Sequence, residues 1–151
     1  MSTASAISQP TLSIEALLGG RKVLQVKQRT ASDWVLVIRQ GLSSAAVDSL
    51  AETLCVTQSE LAAALGIPER TLARRKKAGT LNSEESAKLV RLARVVVRAE
   101  ETFEDFDTAV DWLKSPNATL SGALPLSLLD TDIGAESVMD SLGRIERGVF
   151  A

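Results

Sequence analysis

The chain has 151 residues, 45% hydrophobic but only 3% aromatic, with 17 basic and 19 acidic side chains and a formal net charge of −2. That length holds one compact core with an appendage, or two very small units sharing a seam, and a core filled by Leu, Val, Ile and Ala suits packed helices. Histidine and tyrosine are absent and Cys55 is the only cysteine; this excludes imidazole bases, Ser-His triads, His-liganded metals, Cys-cluster zinc sites and an internal disulfide, so no catalytic residue, metal or cofactor is expected.

Residues 1–10 are rich in Ser and Ala and lack both a basic start and a sustained apolar stretch, and nowhere does the chain approach the ~18 apolar residues of a membrane span; a cytoplasmic protein is expected. Residues 11–18 and 32–40 read as short helices, the second carrying the run Trp34, Val35, Leu36, Val37 and Ile38, with Gly19, Gly20 and Gly41 as separators. Between them, residues 23–29 alternate Val23, Gln25 and Lys27 with Leu24, Val26 and Gln28, a pattern open to a short strand. Ser43 and Ser44 cap a third helix reaching about Cys55, whose neighbours Leu54 and Val56 mark it as a core residue rather than a nucleophile. Residues 1–42 form an amino-terminal helical segment on this reading.

Charge is distributed unevenly from here on. Residues 1–68 hold five basic and five acidic side chains, residues 69–98 nine and three, and residues 99–151 three and eleven. A basic block beside an acidic one can be an ordinary solvated surface, but this one coincides with local structural signals. Thr57-Gln58-Ser59-Glu60 is a capping box, Leu61, Ala62 and Leu65 face inward, and Gly66 stands where a tight turn needs positive φ. Ile67 re-enters the core, Pro68 supplies a pre-set φ, and residues 69–77 form a second short helix with Leu72 inward and cations outward, ended near Gly79. A plain helical hairpin with a basic surface is the competing reading; it leaves the coincidence of cap, turn and charge unaccounted for.

Two short helices about a glycine turn, the second basic, resemble the phage-repressor-like helix-turn-helix that lays a recognition helix in the major groove. Matching position to position, the resemblance directs Gln58, Glu69, Arg70, Ala73 and Arg74 towards bases and Arg75, Lys76 and Lys77 towards phosphates of double-stranded operator DNA. One short recognition helix reads too few base pairs alone, so a homodimer or higher oligomer is expected, its seam in residues 83–98 or in the amino-terminal helices.

Ser83 with Glu84 and Glu85 opens a long helix carrying Leu89, Leu92, Ala93, Val96 and Val97 as one apolar stripe. Residues 103–114 form an acidic amphipathic helix with Phe103, Phe106, Ala109, Val110 and Leu113 on one side, ended by Pro116-Asn117. Its carboxylates Asp105, Asp107 and Asp111 have no other ligand types nearby and read as solvated. Residues 118–129 are apolar, punctuated by Pro and Gly, and too short to build a core of their own, so they must lie against something. That something is either the core of the chain itself or a partner.

The wording from residue 71 onward then becomes specific: Thr71-Leu72-Ala73-Arg74-Arg75-Lys76, Glu85-Ser86, Arg91-Leu92-Ala93-Arg94, Trp112-Leu113, Pro116-Asn117, Leu120, Gly122, Pro125-Leu126, Leu129, Gly134, Val138 and residues 142–148. Together these resemble the Xre/MbcA/ParS antitoxins over roughly residues 43–151. Pro68 departs from the pattern, since relatives often place a capping Ser or Thr there. The resemblance implies an all-α fold, with a phage-repressor-like helix-turn-helix domain at residues 43–101 and a helical carboxyl-terminal toxin-binding domain at residues 102–151. It also implies an antitoxin that is no enzyme: one that covers the active site of a RES-domain, NAD+-consuming toxin and represses its own operon. The toxin-binding set would comprise Trp112, Leu120, Leu124, Pro125, Leu126 and Leu129, with Arg144, Arg147, Val149, Phe150 and Ala151 projecting into the toxin's mouth. The alternative is a stand-alone helix-turn-helix regulator whose tail responds to a small molecule.

Overall fold

A computed structural model describes residues 13–24 and 30–148. Its helices are α1 (Ile14–Leu17), α2 (Arg21–Leu24), α3 (Ala31–Gln40), α4 (Ala45–Leu54), α5 (Gln58–Leu65), α6 (Glu69–Ala78), α7 (Ser83–Phe103), α8 (Phe106–Leu113), two 3-10 turns η1 (Ala118–Leu120) and η2 (Pro125–Leu128), and α9 (Asp132–Glu146). No strand occurs among the described residues, and the fold is all-α. Val23 and Leu24, where a strand was open, close the helical turn α2; residues 25–29 lie outside the described residues, as do Val149, Phe150 and Ala151.

The 21-residue helix α7 is the axis of the molecule. Its start is set one residue before Ser83: the Asn82 side chain accepts from the Glu85 N–H at 2.8 Å and Glu85 accepts from the Asn82 N–H at 2.9 Å, so two free backbone donors of the first turn are satisfied reciprocally. It ends at Phe103, with Glu104 in the left-handed region at φ 56°. Phe103 therefore closes this helix instead of opening the next, and Asp105 caps α8 by accepting from the Thr108 N–H at 2.9 Å.

Four of the five stripe residues of α7 are consumed inside the chain, and Val97 is half-buried. Leu89, Leu92, Ala93 and Val96 are fully buried, in one continuous cluster with Leu61, Leu65 and Leu72 on one side and Leu113, Val138 and Leu142 on the other. The division expected near residue 101 thus falls within a helix that both halves share. Helix α3 packs Trp34, Val37 and Ile38 on this cluster yet leaves Val35 and Leu36 exposed.

A short backbone zip ties the helix-turn-helix to the rest. Leu81 N–H donates to Leu42 O and Ser44 N–H to Gly79 O, forming an isolated antiparallel bridge between Ser43 and Thr80. Gly41 sits at φ +92°, and a Cβ there would lie 2.4 Å from Leu81 O, so the crossing requires glycine on both conformational and steric grounds. Ser86 Oγ accepts from the Leu42 N–H at 2.8 Å, which accounts for a fully buried serine.

Candidate functional sites

The first helix of the motif, α5, is held by its capping box: Thr57 Oγ1 accepts from the Glu60 N–H at 3.0 Å and Glu60 accepts from the Thr57 N–H at 2.8 Å. Hydrogen bonding to the carboxyl by the Thr57 backbone N–H first, and then by the Thr57 side chain, holds Glu60 below its ordinary range. Leu61, Ala62, Ala64 and Leu65 are buried, and Gly66 turns the chain at φ +70°, where a Cβ would meet the Cβ of Asp130 at 3.1 Å. Pro68 occupies the N-cap of α6 and makes no side-chain cap bond.

Leu72 alone is buried in α6; Glu69, Arg70, Ala73, Arg74 and Lys77 are exposed. Arg75 and Lys76, expected on phosphates, are half-buried and already engaged. Arg75 Nε lies 2.8 Å from Glu85 Oε1, and Lys76 Nζ lies 2.8 Å from Asp48 Oδ1 and 2.6 Å from Gln58 Oε1. Burial pushes the Glu85 carboxyl up, but the Arg75 hydrogen bond, the Asn82 N–H and the charges of Arg75 and Lys88 outweigh it and hold the group below its usual value. Asp48 is the residue missed by sequence reasoning, and Glu85, which reads only as part of a helix start, is not recognisable there as the partner of Arg75. An (i, i+10) pairing across a turn has no local signature.

At the other end, Trp112 is half-buried, its ring 5.7 Å from that of Phe103 at 46°. Pro125 and Leu129, expected on the toxin-binding surface, are instead buried, Leu129 at 1% exposure, and anchor the segment on the chain's own core. Leu120 and Leu126 are half-buried, whereas Leu124 is 38% exposed. Leu124, Leu126 and Ser127 face Glu60, Ala63 and Ala64 of α5 across an apolar cleft of about 220 Å³. Arg144 is exposed on α9 and, with Thr119, Ser121, Ser137 and Asp140, lines a polar cavity of about 320 Å³ between η1 and α9. Arg147 is the exposed C-cap of α9.

Two contacts set the segment's position. Arg91 donates to Leu129 O at 3.0 Å and pairs with Asp132, and Gly134 lets the Leu128 carbonyl approach so closely that a Cβ would lie 1.8 Å from its oxygen. Arg98 grips both Glu146 oxygens near the end of α9; that bond first, and its charge, hold the Glu146 carboxyl below its ordinary range.

Comparison with known proteins agrees with this geometry. The family described as antitoxin Xre-like helix-turn-helix domain matches residues 33–94, and the antitoxin Xre/MbcA/ParS C-terminal toxin-binding domain matches residues 98–148. An Antitoxin Xre of Yersinia enterocolitica is 37% identical over 116 residues, 76% of this chain and 78% of that protein. The chain belongs to the Xre/MbcA/ParS antitoxin family. This antitoxin is also similar to an Antitoxin Xre of Photorhabdus laumondii, 33% identical over 76% of the chain and 79% of that protein. The Prs ADP-ribosylating antitoxin of a Sphingobium species is 30% identical over 79% of the chain and 81% of that protein. A chain of the M. tuberculosis MbcT-MbcA toxin-antitoxin complex superposes with a TM-score of 0.52 at 25% identity, covering 72% of this chain and 96% of that one. The protein is thus an antitoxin of a toxin-antitoxin system with a helix-turn-helix DNA-binding unit and a toxin-binding unit, and among its described residues no helix is long and apolar enough to cross a membrane.

Proposed function

We propose that this antitoxin acts in the cytoplasm without catalysis of its own, neutralising a cognate RES-domain toxin by covering its NAD+ site and repressing its own operon as a dimer or higher oligomer. The observation that carries the toxin half is the segment of residues 120–129, which is anchored from inside by Pro125 and Leu129 yet leaves Leu124 exposed beside a cleft within a matched toxin-binding unit. Arg144 and Arg147 stand exposed on α9, and these two cations suit the anionic pyrophosphate of NAD+.

The DNA half rests on Arg70, Arg74 and Lys77, exposed cations with no ion pair among the described residues. Arginine's planar fork suits guanine O6 and N7, so loss of one such contact should cost about 1–3 kcal/mol and relax one base pair. With most of the α7 stripe buried in the core, the exposed Val35 and Leu36 of α3 favour the amino-terminal helices as the seam between copies.

Co-expression with the neighbouring toxin tests the toxin half. The antitoxin is expected to co-purify with the toxin and to preserve cellular NAD+; a chain cut after Ile145 should still be captured but protect NAD+ less. Full protection by the shortened chain would remove the role given to Arg147 and the residues after it, and absence of any capture would remove the toxin reading.

A further inference from the structure

The cations of α6 divide into two geometric classes. At 3.6 residues per turn, Arg70, Arg74 and Lys77 fall at i, i+4 and i+7 on one stripe, opposite the buried Leu72. Arg75 lies about 60° to one side of Leu72 and Lys76 about 40° to the other. They are the two shoulders of the helix, and each is engaged by a carboxylate from a different element: Arg75 by Glu85 of α7, Lys76 by Asp48 of α4.

A helix with a single fully buried side chain has little apolar packing to fix its rotation about its own axis. A rotation by one residue step, about 100°, would turn the Arg70–Arg74–Lys77 stripe off a groove floor altogether. Two oppositely placed ion pairs resist rotation in both senses, and Glu85 is a rigid anchor because the same Oε1 that accepts from Arg75 also caps α7 through the Asn82 N–H.

Lys76 has a second consequence. An ammonium has three donors and no acceptor, so the Gln58 amide must turn its oxygen to Lys76, as found at 2.6 Å. The amide NH2 is then directed away from Lys76, and it makes no hydrogen bond among the described residues. Gln58 is the first residue of α5 and is held by Lys76 of α6, so its free donors stand where the two helices of the motif meet.

Resting on the DNA-binding reading above, we propose that Arg75 and Lys76 are positioning residues and not phosphate ligands: they clamp the rotation of α6 from both shoulders, and Lys76 orients the Gln58 amide to donate to an acceptor on the duplex. Lys77 is then the phosphate-neutralising residue of α6, with Arg70 and Arg74 left to the bases.

Salt dependence separates the two roles, because each neutralised phosphate contributes about 0.9 to the slope of log affinity against log salt concentration. The full chain would be titrated with the duplex immediately upstream of its own reading frame. Lys77→Met is expected to lower the slope by about 0.9. Lys76→Met is expected to weaken binding roughly tenfold, one 1.4 kcal/mol step, with the slope unchanged. Asp48→Asn/Lys76→Met, which removes the pair while keeping the local charge balance, should behave as Lys76→Met does and keeps the test valid if the single variant folds poorly. Gln58→Ala added to Lys76→Met should cost little further, since the amide has already lost its orientation.

A slope lowered by about 0.9 in both Lys76 variants, with Gln58→Ala fully additive, would make Lys76 a phosphate ligand and overturn the proposal. If the unmodified chain has no salt-sensitive affinity for that duplex, the DNA-binding reading itself falls and takes this one with it, a failure visible before any variant is made.

Discussion

The recognition helix α6 and the segment of residues 117–130 are both short, both placed on the surface of the same α7-centred core, and held there by opposite means. Helix α6 has regular backbone bonds of its own and is oriented through side chains: one buried leucine and two ion pairs. The later segment has no α-helix, only the two 3-10 turns η1 and η2, and is oriented through its backbone. Asn117 N–H donates to Ala123 O and Gly122 N–H to Asn117 O, Leu129 O is held by Arg91, and Leu128 O rests against Gly134. A surface that must present a fixed charge pattern to a regular duplex can be a helix locked in rotation; one that must fit a single partner can be a shaped loop locked by close backbone approaches.

The largest expected effect tests whether the two regions are one folding unit. Leu92 is fully buried in the middle of α7, against both halves. Leu92→Ala should cost about 2–5 kcal/mol through lost burial and an unfilled cavity, in one cooperative thermal transition that removes DNA binding and toxin capture together. Two separate transitions by circular dichroism, one of them unmoved, would show that the halves are independent.

Gly134→Ala is expected to cost less, about 1–3 kcal/mol as an overpacking change, and to act on one region only. The new methyl must displace the Leu128 carbonyl, now 1.8 Å from its position, and with it the exposed Leu124 face. Toxin capture should fall while affinity for DNA stays within a few-fold. Equal loss of both activities would mean that η2 also supports α5, against which its leucines lie.

These contrasts explain what could be read from the residues alone. The helix-turn-helix was legible because its signals are local: Thr57 and Glu60 three apart, Gly66 at the turn, Leu72 opposite the stripe of cations. The helical course of residues 83–98 was legible from its period, but not its end at Phe103, which the apolar pattern assigns to the next helix, nor its cap, since Asn82 and Ser83 are equally good capping residues and only the Glu85 spacing decides. Long-range pairings left no trace. Nothing in the sequence says that Lys76 meets Asp48, or that Leu129 turns inward while Leu124, five residues earlier, stays at the surface; irregular turns have no fixed period from which a face could be derived.

A smaller effect, about 1–2 kcal/mol, is expected for Glu85→Gln, which leaves Arg75 without its carboxylate and keeps the Asn82 cap in weakened form. It also sharpens the comparison by pH. A carboxyl held below its ordinary value when folded contributes stability that is complete above the unfolded value of about 4.3 and is lost as pH falls through the lower, folded value. The native chain should therefore lose stability below about pH 4, and Glu85→Gln should show a shallower acid limb. The remainder belongs to Glu60, Asp105 and Glu146, whose carboxyls are lowered in the same sense by Thr57, Thr108 and Arg98. An acid limb identical in the two proteins would mean that the Arg75–Glu85 pair does not hold α6 in solution.

The smallest effect on the free protein is expected at Leu124, and that smallness makes it informative. With 38% of its surface exposed, Leu124→Asp should change stability by only about 0.5 kcal/mol, so a fold defect cannot account for a loss of binding. An apolar anchor at the centre of an interface is worth about 2 kcal/mol or more when removed, and a carboxylate buried in its place costs further desolvation. Toxin capture measured by co-purification should drop at least about thirty-fold, with the salt slope for DNA untouched. Undiminished capture by Leu124→Asp would move the toxin contact away from the cleft beside α5 and onto the polar side of α9, where Arg144 and Asp140 line the other cavity. The shaped-loop account of this region would then give way to one in which the partner, like the duplex, is met by a charged helix.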